Sequence, residues 1–176
     1  MTINEEINNY KQLVFNNDIN SSLNYCFREP DKINKYKKYP LILFLHGAGG
    51  RGSNNFEQLY DAGGIDAFKK QSIFSIHQTY LLAPQVPENK KWVNVDWHSL
   101  EHEMPLKSET MKLTIELLDK VINDKSNKID INRIYVLGLS MGGYGVWDLL
   151  QRRPKFFAAA VPICGGGDTS LCSSIS

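Results

Sequence analysis

Gly138-Leu-Ser140-Met-Gly142 sets a serine between two glycines. A strand-like run, Arg133-Ile-Tyr-Val-Leu137, leads into it, and a helix-like run from Tyr144 to Arg152 follows. A tight strand-to-helix turn holds such a serine at strained backbone angles, and only residues without a side chain fit on either side. The turn lifts the hydroxyl over the end of the sheet. It also sets the serine at the start of a helix, where free N–H groups and the dipole favour developing negative charge. The five-residue pattern alone recurs by chance; with strand and helix in register it reads as a nucleophile elbow. The competing reading is a glycine-rich turn with an ordinary serine.

A nucleophilic serine needs an oxyanion hole, a general base and an acid that orients the base. His46-Gly47-Ala48-Gly49 directly follows the apolar run Leu41-Ile-Leu-Phe-Leu45, at a strand end where a second oxyanion donor belongs. The backbone N–H of Met141 is the expected first donor and that of Ala48 or Gly49 the second; losing one such donor costs about 100–1,000-fold in rate. The base is not apparent. His46, His77, His98 and His102 all precede Ser140, whereas a hydrolase sheet of this type runs serine, acid, histidine. The 36 residues after Ser140 hold no histidine, and beyond the elbow helix their only carboxylate is Asp168, close behind a strand. Trp92 and Tyr144, with His46, are the expected substrate-pocket residues, alongside Trp97; Trp147 reads as core.

Two further motifs suggest other chemistry. Gly47-x-Gly49-x-x-Gly52 has dinucleotide-fingerprint spacing, but the next strand closes on Ala83-Pro84-Gln85 without the acid that would hold a ribose. His98-x-x-Glu101-His102 matches an inverted zincin pattern, in a segment flanked by Trp97 and closed by Pro105, with no third ligand in view. No metal and no cofactor is expected, and a zinc hydrolase at His98/His102 stands as the third reading.

The elements that must position Ser140 follow from the patterning. Lys11–Phe15 and Ser22–Phe27 read as short strands around an Asn/Asp-rich turn, and residues 29–40 as a solvated, lysine-rich connection. Leu41–Leu45 and Thr79–Ala83 lack alternation, as strands buried on both faces do. Ser53 is placed to cap a short helix through Phe56, Leu59 and Tyr60 that stops near Gly63-Gly64, with a further helical piece over Ile65–Lys70. Residues 85–106 are irregular. From Lys107 a covering helix carries Met111, Ile115, Leu118 and Ile122 at helical spacing, widened by Leu113, Leu117 and Val121. Ile129–Arg133 turns into the strand before the elbow, the elbow helix ends before Pro154, and Phe156–Ile163 is the last strand. Strands alternating with helices predict an α/β protein with a mostly parallel sheet flanked by helices.

At 176 residues the expectation is a single domain, 1–176, with a real core. A net charge of +1 gives no reason to expect a nucleic-acid or membrane partner. Cys26, Cys164 and Cys172 form no disulfide or zinc pattern. The polar start Met1-Thr-Ile-Asn-Glu-Glu does not resemble a secretory signal, so cytoplasm is the default expectation, with secretion open if a leader has been removed.

Together these residues resemble the α/β-hydrolase fold, and within it the predicted-peptidase and carboxylesterase group near polyhydroxybutyrate depolymerases, feruloyl esterases and prolyl-oligopeptidase-like enzymes. The matching stretches are Tyr39–Gly49 with Arg51-Gly-Ser-Asn54, Leu82-Ala-Pro-Gln85 with Trp92, and Asp130-x-x-Arg133-Ile-Tyr-Val. They continue through Gly138–Gly145 with Trp147-Asp148 to Phe157–Asp168, in order over roughly residues 38–168. The resemblance implies hydrolysis of an ester, less often a peptide, through an acyl-serine on Ser140. The substrate is expected to be a small-molecule ester or acylated carbohydrate. It also implies two further strand–helix units carrying the catalytic acid and histidine, so the chain is expected to be the N-terminal two-thirds of such a domain, with the C-terminal strands missing and the 157–163 strand left as a sheet edge. The alternative from another class is an inactive remnant of the fold that keeps a binding pocket.

Overall fold

The computed structural model describes residues 9–61, 64 and 77–175. The helix expected over Ile65–Lys70 lies outside them, as does Gly63. The elements are β1 (Lys11–Asn16), β2 (Ser22–Arg28), β3 (Tyr39–Leu45), a 3₁₀ turn (Ala48–Gly50), α1 (Glu57–Tyr60), β4 (Tyr80–Pro84), α2 (Glu109–Asn123), β5 (Ile129–Leu139), α3 (Met141–Arg152), β6 (Ala159–Ile163) and a closing 3₁₀ segment (Thr169–Ser174). The strands form one sheet in the order β1-β2-β4-β3-β5-β6. β1, β2 and β4 pair antiparallel, and β4, β3, β5 and β6 run parallel.

The centre of the sheet is buried on both faces, as the unalternating runs predict. Successive β3 side chains point to opposite sides. Leu41, Leu43 and Leu45 enter the larger core with Tyr80, Leu82, Ile134 and Val136 and with Met111, Leu117 and Leu118 of α2 and Val146 and Leu149 of α3. Phe44 enters a smaller core on the other side with Tyr10, Cys26, Leu59, Leu81 and Ala83. In α2 the buried stripe centres on Met111, Leu117 and Leu118, flanked by Leu113 and Val121; Ile115 and Ile122 are only partly buried at its edge.

Several boundaries differ from expectation for local reasons. Ser53 does not cap α1. Asn54 Oδ1 instead accepts from the N–H groups of Phe56 (3.1 Å) and Glu57 (3.2 Å), and the helix is a single turn. β5 reaches back to Ile129, but Tyr39 pairs with Ile129 while Leu41 pairs with Ile134. The extra residues form a turn closed by Asp130, which accepts from Asn132 N–H (3.1 Å) and Arg133 Nε (2.8 Å). The last strand begins at Ala159, because Phe156 and Phe157 leave the ladder to pack edge-to-face on each other. α3 starts at Met141, directly after the serine, and stops at Arg152 ahead of Pro154. Among the described residues no helix is long and apolar enough to cross a membrane.

Candidate active site

β5 carries Ser140 to the end of the sheet, between β3 and β6. Its backbone sits at φ 53°, ψ −114°, a conformation that costs a non-glycine residue about 1–3 kcal/mol. Hydrogen bonds over-determine the turn: Ser140 N–H donates to Ile163 O on β6 (2.8 Å), and Ser140 O accepts from Tyr144 N–H (3.2 Å). The flanking glycines are steric necessities. A Cβ on Gly138 would fall on the Gly142 carbonyl, and one on Gly142 on the Leu45 carbonyl, both backbone. Ser140 is exposed, and among the described residues its hydroxyl has no hydrogen-bond partner.

β3 brings the second loop alongside. Leu45 pairs with Gly138, and Gly47 lies against the carbonyl of Leu139. Residues 48–50 turn as a 3₁₀ helix, so the N–H groups of Ala48 and Gly49, like that of Met141 at the start of α3, have no backbone acceptor among the described residues. Among the described residues, N–H groups without a backbone acceptor therefore flank Ser140 in a 3₁₀ turn on one side and a helix N-terminus on the other.

His46 does not line a pocket as expected; it is fully buried, and both ring nitrogens are used. Nε2 accepts from Val86 N–H (3.0 Å), which leaves the ring proton on Nδ1, donated to Gly47 O (2.6 Å). Burial lowers its pKa to about 4, against a smaller upward pull from the Gly47 carbonyl, so the ring is neutral. Trp92 is likewise enclosed: its Nε1–H donates to His46 O (2.9 Å) and its ring meets His46 edge-on at 5.2 Å. Tyr144 does remain partly exposed, one turn after Ser140, with its ring 5.9 Å from that of His102.

The other histidines are dispersed. His77 lines a cavity of about 920 Å³ with Lys37, Lys38, Thr79 and Arg133, near the opposite ends of β3 and β4. His98 is almost wholly exposed, with Nδ1 3.1 Å from Asp96 Oδ1. Residues 98–102 are not helical, so His98 and His102 do not present the i, i+4 pair a zincin needs, and no cluster of three metal-ligating side chains exists among the described residues. Asp168 is committed locally: Oδ1 accepts from Ser170 N–H (2.9 Å) and Oγ (2.6 Å), and Oδ2 from Met104 N–H (2.9 Å). The Ser170 hydroxyl first, then Met104 N–H, hold its carboxyl below the usual range. Asp148 on α3 is shifted the other way by burial, opposed by the Arg152 guanidinium that donates to both its oxygens (2.7 and 2.8 Å).

Two residues near the loop have no role that the sequence reading assigns. Asp61 presses its carboxylate against Gly47 and Gly49, with Oδ2 buried and without a hydrogen-bond partner. Gln85 is buried at the end of β4 and bonds three residues of the loop that follows β3. Only its place in Leu82-Ala-Pro-Gln85 could have drawn notice to it.

Comparison with known proteins follows the same lines. No protein-family model matches the chain. It is 30% identical over 128 residues to a poly(3-hydroxyalkanoate) depolymerase C of Paucimonas lemoignei, covering 72% of this chain and 28% of the relative. It superposes on a crystal structure of a thermostable esterase with a TM-score of 0.84 and 35% identity, over 96% of this chain and 44% of that one. A ferulic acid esterase matches with a TM-score of 0.60 and 22% identity, over 86% of this chain and 58% of the other, a likeness of fold. The chain thus spans less than half the length of the depolymerase and of the thermostable esterase. Taken with the strand order, these likenesses give the chain the α/β-hydrolase fold and make it similar to esterases built on that fold.

Proposed function

We propose that this chain is a serine hydrolase for carboxylic esters, with Ser140 as the nucleophile. The observation that carries the reading is the exposed Ser140, held at φ 53° at the N-terminus of α3, flanked on both sides by N–H groups that have no backbone acceptor among the described residues. Ser140 Oγ bonds to the acyl carbon, and the carbonyl electrons collect on the oxygen. Met141 N–H and the N–H of Ala48 or Gly49 stabilise that oxyanion. On collapse the alcohol leaves with the proton taken from Ser140, and water then releases the acid from the acyl-serine. The relatives' names support an ester, and a small ester or an acylated carbohydrate is the substrate class we assign.

No histidine is hydrogen-bonded to Ser140 among the described residues. Of those present, only His102 stands beside Tyr144, which makes it the candidate base to test first. The test is turnover of p-nitrophenyl acetate by the chain, beside Ser140→Ala and His102→Ala. Turnover lost in Ser140→Ala supports the nucleophile. Retention in His102→Ala assigns the base elsewhere. Absence of turnover in the parent favours a fold that keeps the elbow without the chemistry.

A further inference from the structure

We propose that Gln85 is the positioning residue of the oxyanion loop, an inference that rests on the hydrolase reading above. Residues 46–55 leave β3, pass Ser140 and return along the end of β4, and the end of β4 holds them at five places. The backbone supplies two bonds: Val86 N–H donates to His46 Nε2 (3.0 Å), and Val86 O accepts from Gly52 N–H (3.0 Å). The Gln85 side chain supplies three. Its Nε2 donates to Gly50 O (3.2 Å) and Asn54 Oδ1 (2.9 Å), and its Oε1 accepts from Asn55 N–H (2.7 Å). Gln85 itself is fixed by its own N–H, which donates to Asn24 O on β2 (2.8 Å).

The pattern admits one amide orientation. Both Nε2 protons face acceptors and Oε1 faces a donor, so a flipped amide would set oxygen against Gly50 O and nitrogen against Asn55 N–H. Asn54 cannot turn its own NH₂ inward to compensate, because Oδ1 also accepts from Phe56 and Glu57 N–H. Gly50 closes the 3₁₀ turn whose first N–H groups belong to Ala48 and Gly49. The bond from Gln85 to the Gly50 carbonyl therefore fixes where those two N–H groups point. Gln85 is 1% exposed and touches no substrate; it acts through the loop.

The discriminating substitution is Gln85→Glu, which keeps shape and exchanges the two donors for an acceptor. As a carboxylate it repels Gly50 O and Asn54 Oδ1; as a carboxylic acid it regains one donor. Expected are a fall in kcat of about 100-fold, the size of a lost oxyanion donor, a KM within about 3-fold of the parent, and a variant-to-parent kcat ratio that rises as pH falls. Gln85→Met keeps the bulk, shows the same loss in kcat and has no pH-dependent recovery. Amide hydrogen exchange, which needs no turnover, separates this inference from the hydrolase reading: both variants speed exchange over residues 47–52 and leave α3 protected. If the parent is inactive, the hydrolase reading fails and the exchange result alone decides the positioning role. Parent-like kcat in both variants, a loss confined to KM, a pH-independent ratio in Gln85→Glu, unchanged exchange, or failure of both variants to fold would each overturn the assignment.

Discussion

His46 and Ser140 show how one chain treats two reactive side chains in opposite ways. The hydroxyl is lifted out of the turn, while the imidazole is sealed in and spent on its neighbours. A histidine that folds neutral makes stability depend on pH. Its pKa falls from about 6.5 in the unfolded chain to about 4 in the folded one, so the unfolded state takes up the proton first on acidification. The contribution is fully present above about pH 6.5 and is lost as pH falls towards 4, on the order of 3 kcal/mol in all. Urea unfolding from pH 7 to pH 4 should show that decline, and His46→Gln should flatten it; parallel profiles would rule out a neutral folded imidazole. Burial likewise pushes the Cys26 thiol up to about 12, so it is an unreactive core residue, unlike the exposed Cys164 and Cys172.

The elements are set by their ends more than by their interiors. α2 begins where Ser108 Oγ accepts from Met111 N–H (3.0 Å), and the same hydroxyl donates to Trp92 O (2.6 Å). One side chain thus caps the covering helix and ties it to the irregular segment that encloses His46. Ser108→Ala should lower the unfolding free energy by about 1–2 kcal/mol, the upper part of the range for a lost N-cap. Chemical denaturation reads this directly, and a change below about 0.3 kcal/mol would mean that the cap does not stabilise α2. α3 begins with the strained serine and no side-chain cap. The geometry of the elbow, not a capping hydrogen bond, starts that helix and leaves its first N–H groups free.

At the scale of the molecule the sheet is unevenly covered. β3 and β4 are enclosed, but among the described residues β6 pairs only with β5, and Val161 and Ile163 on it are 52% and 45% exposed. An uncovered apolar edge strand is a template for pairing with another chain. Val161→Lys should reduce concentration-dependent association measured by light scattering while changing stability by no more than about 0.5 kcal/mol, as for other surface positions. Association unchanged by the added charge would show that this edge does not mediate it.

The succession of strands and helices, the two-sided core and the elbow were legible in the sequence because each depends on local pattern. Unalternating apolar runs mark strands buried on both faces, helical spacing marks α2, and two glycines around Ser140 mark a turn that tolerates no other residue there. Pairing across the fold was not legible in that way. The pairing of Ile129 with Tyr39 ahead of the Asp130–Arg133 turn and the departure of Phe156 and Phe157 from β6 follow from register against neighbouring strands. The fates of His46 and Trp92 were decided by what closed over them, since a ring that could line a pocket can as readily be buried against a backbone carbonyl. Gln85 belongs to the matching stretch Leu82-Ala-Pro-Gln85, but nothing in that stretch shows what its side chain holds. Its role arises only where the end of β4 meets a loop 30 to 35 residues earlier in the chain, a juxtaposition that the tertiary structure alone creates.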